Sequence, residues 1–393
     1  MAKIAQVTPA LAPGRGIEGV SYHLARHLTS RQHEVTTLTC DFKPFAEDGK
    51  NLGKVVIPRL LRLIQTRLQG YLRMFLRTLI LSVWSTLRLR HLPAETIRVS
   101  HGDTFGGDVY VAHSCHWAAV HTKIRAGEWK WVFNPFQWLA LVKEAWNLRF
   151  ASFTRMIAVS SGVGRECVRY HGFPQEKVQV IPNGVDIQLF HNKKKPENRR
   201  RILEECSIQG DPVTGVFVAH EFSRKGLVFV LEAMARPGIH QDRFHLLVIG
   251  GDRVPHYQKK AEELGIGSRV SFLGLRDARE VAFYMSGCDV FVFPTNYEAF
   301  PLVVLEALAS GTPVLAPAVN GIEDCLEEGR NGFLIERDSA SIAEKLDYIV
   351  RERHLLAELS VGARQTAEAY DWSDIIGRYA TLFEGLARAN KSV

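Results

Sequence analysis

Two carboxylates and the start of a helix could together hold a phosphorylated diol. Glu298 and Glu306 stand with seven residues between them inside the stretch 288–336. An apolar run, Asp289–Pro294, has strand character and ends in the polar turn Thr295–Glu298. The helical pattern Leu302, Leu305, Leu308 follows, and a second short apolar strand, Pro313–Ala316, comes after Gly311. This reads as a βαβ unit, in which ligands sit at the carboxyl ends of parallel strands. The free N–H groups of Phe300, Leu302 and Val303 open the helix and favour an anion, while Pro301 fits the first turn and donates nothing. Glu298, in the loop, can face a sugar; Glu306 lies deeper, and a carboxylate accepting two hydroxyl hydrogen bonds suits a ribose diol.

Other residues could complete such a site. Arg224 and Lys225 follow the strand Gly215–Ala219 and stand at the mouth of the helix Leu227–Ala235, where two cations would clamp a diphosphate and offset charge on a departing nucleotide. A first strand at 3–7 leads into a loop with Gly14, Gly16 and Gly19, without the GxGxxG spacing of a dinucleotide fingerprint. The strand Asp108–Ala112 ends at His113, with His116 three residues on and His101 further back. As metal ligands these histidines lack a completing carboxylate or cysteine cluster beyond Cys115, and there is no DxD motif.

The glutamate spacing, set within EAFPLVVLEALASGTPVLA and followed by EEGRNGFL, resembles the retaining glycosyltransferases of family 4. KVQVIPNGVDIQLF (177–190) resembles that family's interdomain signature, and GIEGVSYHLARHL with HEVTTLT its first helix and second strand. The resemblance implies an α/β chain of the GT-B fold, two Rossmann-like domains facing each other across a cleft. Residues 1–186 would bind the acceptor and 187–370 the nucleotide sugar, with the tail 371–393 crossing back onto the first domain.

The resemblance also implies roles. His113, with His116 as the alternative, would face the donor sugar. The glycine loop would approach phosphate and sugar through Gly16, although Arg15–Gly16 replaces the adjacent glycines of many members. Family members usually carry an arginine and a lysine four residues apart; here His220 takes the arginine position and Arg224–Lys225 are adjacent. This adjacent form and DVYVAHSCHWA resemble the branch that includes the lipopolysaccharide-core glucosyltransferase. The catalytic set is then His113, Arg224, Lys225 and Glu298. The donor would further touch Gly16, Arg276 after the strand 270–274, Phe300, Leu302, Val303 and Glu306. No metal or other cofactor is implied.

The expected reaction moves a hexosyl group, with retention, from a nucleotide diphosphate sugar to a glycan or glycolipid acceptor in bacterial cell-envelope or polysaccharide biosynthesis. A UDP-sugar is favoured and GDP-mannose is the second choice. With no carboxylate evidently placed as a nucleophile, same-face attack assisted by the leaving phosphate is the expected route. The alternatives are a nucleotide-sugar epimerase of the same fold and a basic nucleic-acid-binding protein, which would show a steep salt dependence.

Composition frames these readings. The chain has 393 residues, 46% hydrophobic and 23% charged, enough for two packed domains. Six scattered cysteines without a CxxC pair read as reduced thiols, and the N-terminus lacks a signal peptide's apolar core, so the expected location is cytoplasmic. Of the net charge of +7, much lies in residues 54–98, with nine Lys or Arg and one acid, Glu95. A helical wheel puts Leu61, Ile64, Leu68, Leu72, Phe75, Leu79 and Val83 on one stripe, opposite Arg59, Arg62, Arg73, Arg77 and Arg88, with Gly70 as a break. The stretch is expected to lie on the anionic inner face of the cytoplasmic membrane, or else to pack its stripe on the first sheet. The aromatic segment 127–146 reads as a packed helix or an acceptor-facing loop, and the basic run 191–201 as an exposed loop.

Overall fold

The computed structural model describes residues 1–12, 16–44, 51–58, 61, 70–125, 127–238 and 241–391. The chain divides into two units, Met1–Asn183 with Trp372–Val393, and Gly184–Asp371. Each is a parallel sheet with helices between successive strands, the Rossmann-like arrangement read from the sequence.

In unit 1 the strands are β1 (Lys3–Leu11), β2 (Glu34–Phe42), β3 (Lys54–Val56), β4 (Thr96–Ser100), β5 (Val109–Ala112), β6 (Arg155–Ala158) and β7 (Val178–Val180), in the order β3-β2-β1-β4-β5-β6-β7. The order reverses between β1 and β4, so a ligand crevice belongs outside their carboxyl ends. β1 is apolar at Ile4, Ala5 and Val7 because it is central. Its buried Gln6 is tolerated because its amide donates to the Ser21 carbonyl and the Thr37 hydroxyl. The terminal helix Trp372–Lys391 places Ile375, Ile376, Tyr379 and Phe383, at helical spacing, in the core with Tyr22, Leu24 and Leu28. At roughly 1.5–3 kcal/mol for each large apolar side chain buried, this stripe fastens the tail to unit 1.

In unit 2 the strands are β8 (Val213–Val218), β9 (Phe244–Ile249), β10 (Val270–Gly274), β11 (Val290–Val292), β12 (Val314–Ala316) and β13 (Gly332–Leu334), in the order β10-β9-β8-β11-β12-β13. Here the reversal falls between β8 and β11, and the loops after these two strands carry Arg224, Lys225 and Glu298.

Two expectations are corrected. The basic run 191–201 is not a loop: Lys195–Glu205 is a helix in which Arg199 bonds Asp289 at 2.6 Å and Asp211 at 2.7 Å. Carboxylates from distant strand ends call for that charge, which a local reading cannot see. The second concerns the helix Gly70–Arg90, whose first described residue, Gly70, has φ 64°. Its inward face is Leu81, Ser82, Ser85 and Leu89, whereas Leu72 (55% exposed) and Val83 (45%) of the apolar stripe face outward, so that of the two placements weighed for the stripe, packing on the first sheet does not hold for these residues. Polar anchors turn the helix: Lys143 donates to Ser82 at 2.9 Å, and Ser85 donates to the Asp103 carbonyl at 3.0 Å. Arg77, placed by the wheel opposite the apolar stripe, is half-buried. Arg59, Arg62, Ile64 and Leu68 lie outside the described residues.

Candidate active site

The unit-2 site is built on the loop after β11. Glu298 is buried, accepts the Thr295 hydroxyl at 2.6 Å and pairs with the Lys225 ammonium. The Arg224 guanidinium lies 3.8 Å from the same carboxylate oxygen and donates to the Tyr297 carbonyl at 3.1 Å. Burial lowers the Lys225 pKa, and the Glu298 charge opposes that fall. Lys225 is 12% exposed and sits over the Phe293 ring at 5.0 Å, whereas Arg224 is 46% exposed. Arg224 in turn pairs with Glu221 at 2.5 Å, so both cations are held by carboxylates, the buried Lys225 by Glu298 and the more exposed Arg224 mainly by Glu221.

A short turn of helix, Phe222–Lys225, positions this pair and ends at Gly226 with φ 81°. A Cβ there would lie 2.3 Å from the Pro294 carbonyl oxygen, so the turn packs directly on the end of β11. Arg337, which the sequence reading passed over, ties the two loops together. It donates to the carbonyls of Pro294 at 3.1 Å and Ser223 at 3.2 Å, and its guanidinium lies 4.8 Å from the Phe229 ring centre.

The helix Leu302–Ala309 starts after Pro301, and Val304 is the first residue to bond back, to the Pro301 carbonyl at 3.0 Å. The N–H groups of Leu302 and Val303 thus remain at the open end, with Phe300 buried beside them. Glu306 is buried one turn in. Lys225, Arg224, Glu298 and this helix start come together as read. Arg276 does not join them: it follows β10, at the sheet edge, and its side chain turns to Glu280 at 3.7 Å.

In unit 1, His113 at the end of β5 belongs to a relay. Its Nε2 lies 2.8 Å from His101 Nδ1, and His101 Nε2 lies 3.2 Å from Gln6 Oε1. Gln6 spends its amide hydrogens on Ser21 and Thr37, so its oxygen accepts from His101 Nε2–H. His101 Nδ1 then accepts from His113 Nε2–H, which leaves His113 Nδ1 as a hydrogen-bond acceptor. Burial pushes His113 down to about 4, and burial followed by the neighbouring His113 holds His101 well below its usual value, so both rings are neutral near pH 7. Gln6 carries no motif signal, and the sequence offers His101 only as a metal-ligand candidate, not as the partner that sets the tautomer of His113. His116 instead starts a helix, its N–H bonded to Glu144 at 2.7 Å, and its side chain lines a cavity of about 250 Å³. Gly16 precedes the helix Ile17–Ser30 with φ 89°, a conformation that suits glycine; Pro13–Arg15, which include Gly14, lie outside the described residues.

Cys115, Glu144 and His171 converge with ligand atoms within 4.8 Å of one another, all buried. Glu144 is already engaged, accepting N–H groups from His116 and Trp117 and lying 2.9 Å from His171 Nε2. Burial opposes charge on His171, but its bonds to Cys115 and Glu144 outweigh this and raise it to about 9. The trio therefore acts as a buried ion pair that caps the helix His116–Arg125.

Comparison with known proteins gives the family and the fold. The family model "Glycosyltransferase Family 4" matches residues 14–189, and "Glycosyl transferases group 1" matches 198–366. A D-inositol 3-phosphate glycosyltransferase of Geodermatophilus obscurus is 32% identical over 61% of this chain and 55% of its own length. The chain thus spans about half the length of such relatives. The crystal structure of WaaG, a glycosyltransferase involved in lipopolysaccharide biosynthesis, superposes with a TM-score of 0.77 at 21% identity, covering 97% of this chain and 100% of that one. Anabaena HepE in complex with UDP-glucose gives 0.69 at 18% identity, covering 98% and 100%. With one model on each half and both sheets wound as these folds require, the chain belongs to the family 4 glycosyltransferases of the GT-B fold.

Proposed function

We propose that the protein transfers a hexosyl group from a nucleotide diphosphate sugar, a UDP-hexose by preference, to a glycan or glycolipid acceptor with retained configuration. The observation that carries this is the Lys225–Glu298 pair, with Arg224 beside it and the open end of the helix Leu302–Ala309 following in the same loop. Arg224 and Lys225 stabilise the diphosphate as it leaves, the helix N–H groups bind its oxygens, and Glu306 holds the ribose. The two cations supply the charge compensation, so the reading calls on no metal ion. His113, neutral and with Nδ1 open, accepts a sugar hydroxyl. That a neighbour of the same fold, the Anabaena protein, is a complex with UDP-glucose supports a UDP-sugar as the donor.

Incubation with a panel of nucleotide sugars and an acceptor extract should release UDP, and Glu306→Ala should lower kcat/KM by about tenfold or more, since a bond to a charged group contributes roughly 1.5–3 kcal/mol. Normal turnover by that variant would remove Glu306 from the site. A free epimerised sugar as the product would favour the epimerase reading instead.

The same proposal places the enzyme on the inner face of the cytoplasmic membrane, in cell-envelope glycan synthesis. No helix among the described residues is long and apolar enough to cross a membrane. Two adjoining helices of unit 1 nevertheless expose large apolar groups beside cations. Gly70–Arg90 shows Leu72, Val83 and Leu87 with Arg73, Arg88 and Arg90. Pro135–Arg149 and its flanks show Phe133 (86% exposed), Trp138, Trp146 and Phe150 (72%). Aromatic rings beside arginines suit the headgroup layer of an anionic bilayer. Flotation with phosphatidylglycerol vesicles should recover the protein, and Arg73→Glu/Arg88→Glu should lose it; equal flotation of the two would refute the surface.

A further inference from the structure

Four side chains of unit 1 converge at a point that the proposed reaction does not use. Cys115 stands between β5 and the helix His116–Arg125, and Glu144 lies in the helix Pro135–Arg149. Cys167 and His171 are four apart in the helix Ser161–His171, a spacing that puts both on one helical face. All four are buried. The ligand atoms of Cys115, Glu144 and His171 fall within 4.8 Å of one another, and the Cys115 and Cys167 thiols are hydrogen-bonded to each other.

The ion pair of His171 with Glu144 caps its helix without calling for either thiol, yet two soft sulfur atoms meet beside it. Glu144 turns Oε1 to the His116 N–H at 2.7 Å, while its Oε2 lies 3.9 Å from Cys115 Sγ and 2.9 Å from His171 Nε2. With metal bonds of about 2.0–2.3 Å, the ligand atoms of a tetrahedral site stand roughly 3.3–3.8 Å apart. The Cys115–Glu144 edge already has close to that length, and the His171–Glu144 edge must open by only about half an ångström. The carboxylate also has the support a metal ligand needs, because the N–H groups of His116 and Trp117 fix its orientation.

We propose that Cys115, Glu144, Cys167 and His171 bind one zinc ion as a structural site. Two thiolates, an imidazole and a carboxylate match zinc in softness and in number, with no position left for water. The metal displaces the protons that the two thiols and His171 otherwise share. The negative charge on the ligands faces the first N–H groups of the helix His116–Arg125, a helix end that favours an anion. The ion fastens two helices to the segment after β5, which carries His113 two residues before Cys115. It has no role in the transfer chemistry proposed above.

The test uses the full, untagged chain produced in zinc-supplemented minimal medium and purified with reductant and without chelator. Elemental analysis should find about one zinc per chain, and the same in Cys40→Ser, which changes a buried thiol elsewhere in unit 1. Cys115→Ser and Cys167→Ser should each hold less than about a tenth of that. Chain produced with cobalt in place of zinc should show the visible bands of a tetrahedral ion and a thiolate-to-metal charge-transfer band in the near ultraviolet, and Cys167→Ser should lose both. Removing the metal with a chelator should lower the unfolding temperature of wild type and leave that of Cys167→Ser unmoved. If Cys167→Ser does not fold, the metal content and the cobalt spectrum of wild type decide. Wild type free of zinc, zinc retained in full by Cys167→Ser, or bound cobalt without the charge-transfer band would each overturn the proposal.

Discussion

Lys225→Ala is expected to lower kcat with a UDP-hexose by about 10²–10³-fold, the range seen when one fixed donor is removed from a charge-stabilising site. The ammonium is held in place before any substrate arrives, by Glu298 on one side and the Phe293 ring on the other. Little reorganisation is then needed as the diphosphate takes up charge, which is where its contribution to rate comes from. The variant also leaves Glu298 buried with Thr295 as its remaining short partner, so an uncompensated carboxylate would repel the diphosphate. The double variant Lys225→Ala/Glu298→Gln separates the two effects. Removing the stray charge should recover part of the KM loss, while kcat stays low because the cation is still missing. Released UDP measured across donor concentrations gives both constants. Turnover by Lys225→Ala within about threefold of wild type would take the residue out of the mechanism.

The strand, loop and helix that carry the two glutamates were legible in the sequence because their order is local. Strand, polar turn, helix start and both glutamates fall within 288–316, and hydrophobic period and turn composition report such short-range order. What escaped notice acts across long separations in the chain. Arg337 works through the carbonyls of Ser223 and Pro294, and a carbonyl leaves no trace in residue identity. The tautomer of His113 is set by Gln6, more than a hundred residues earlier, through a buried His101. The helix Gly70–Arg90 shows where an amphipathic wheel stops: its buried face combines Leu81 and Leu89 with serines hydrogen-bonded to Lys143 and Asp103, while Leu72 and Val83 of the apolar stripe face outward.

The cation pair also depends on a backbone position with no side chain at all. Gly226→Ala should destabilise unit 2 and lower activity together. The residue has φ 81°, which costs an L-amino acid about 1–2 kcal/mol. Its new methyl would meet the Pro294 carbonyl oxygen at 2.3 Å, and relieving such overpacking typically costs about 1–3 kcal/mol more. The backbone must move, and the easier part to move is the single turn Phe222–Lys225, held by the Gly226 N–H to Ser223 and the Lys225 N–H to Glu221 bonds. Displacing it carries the Lys225 ammonium off Glu298, so kcat should fall by at least tenfold in protein that is still folded. Gly265→Ala is the matched control: φ is 70° there, but nothing lies within 4 Å of the added methyl. It should show the conformational cost, about 1–2 kcal/mol by denaturant titration, with kcat unchanged. If both variants lost the same stability and neither lost activity, the close approach of Gly226 to Pro294 would not be what positions the cations.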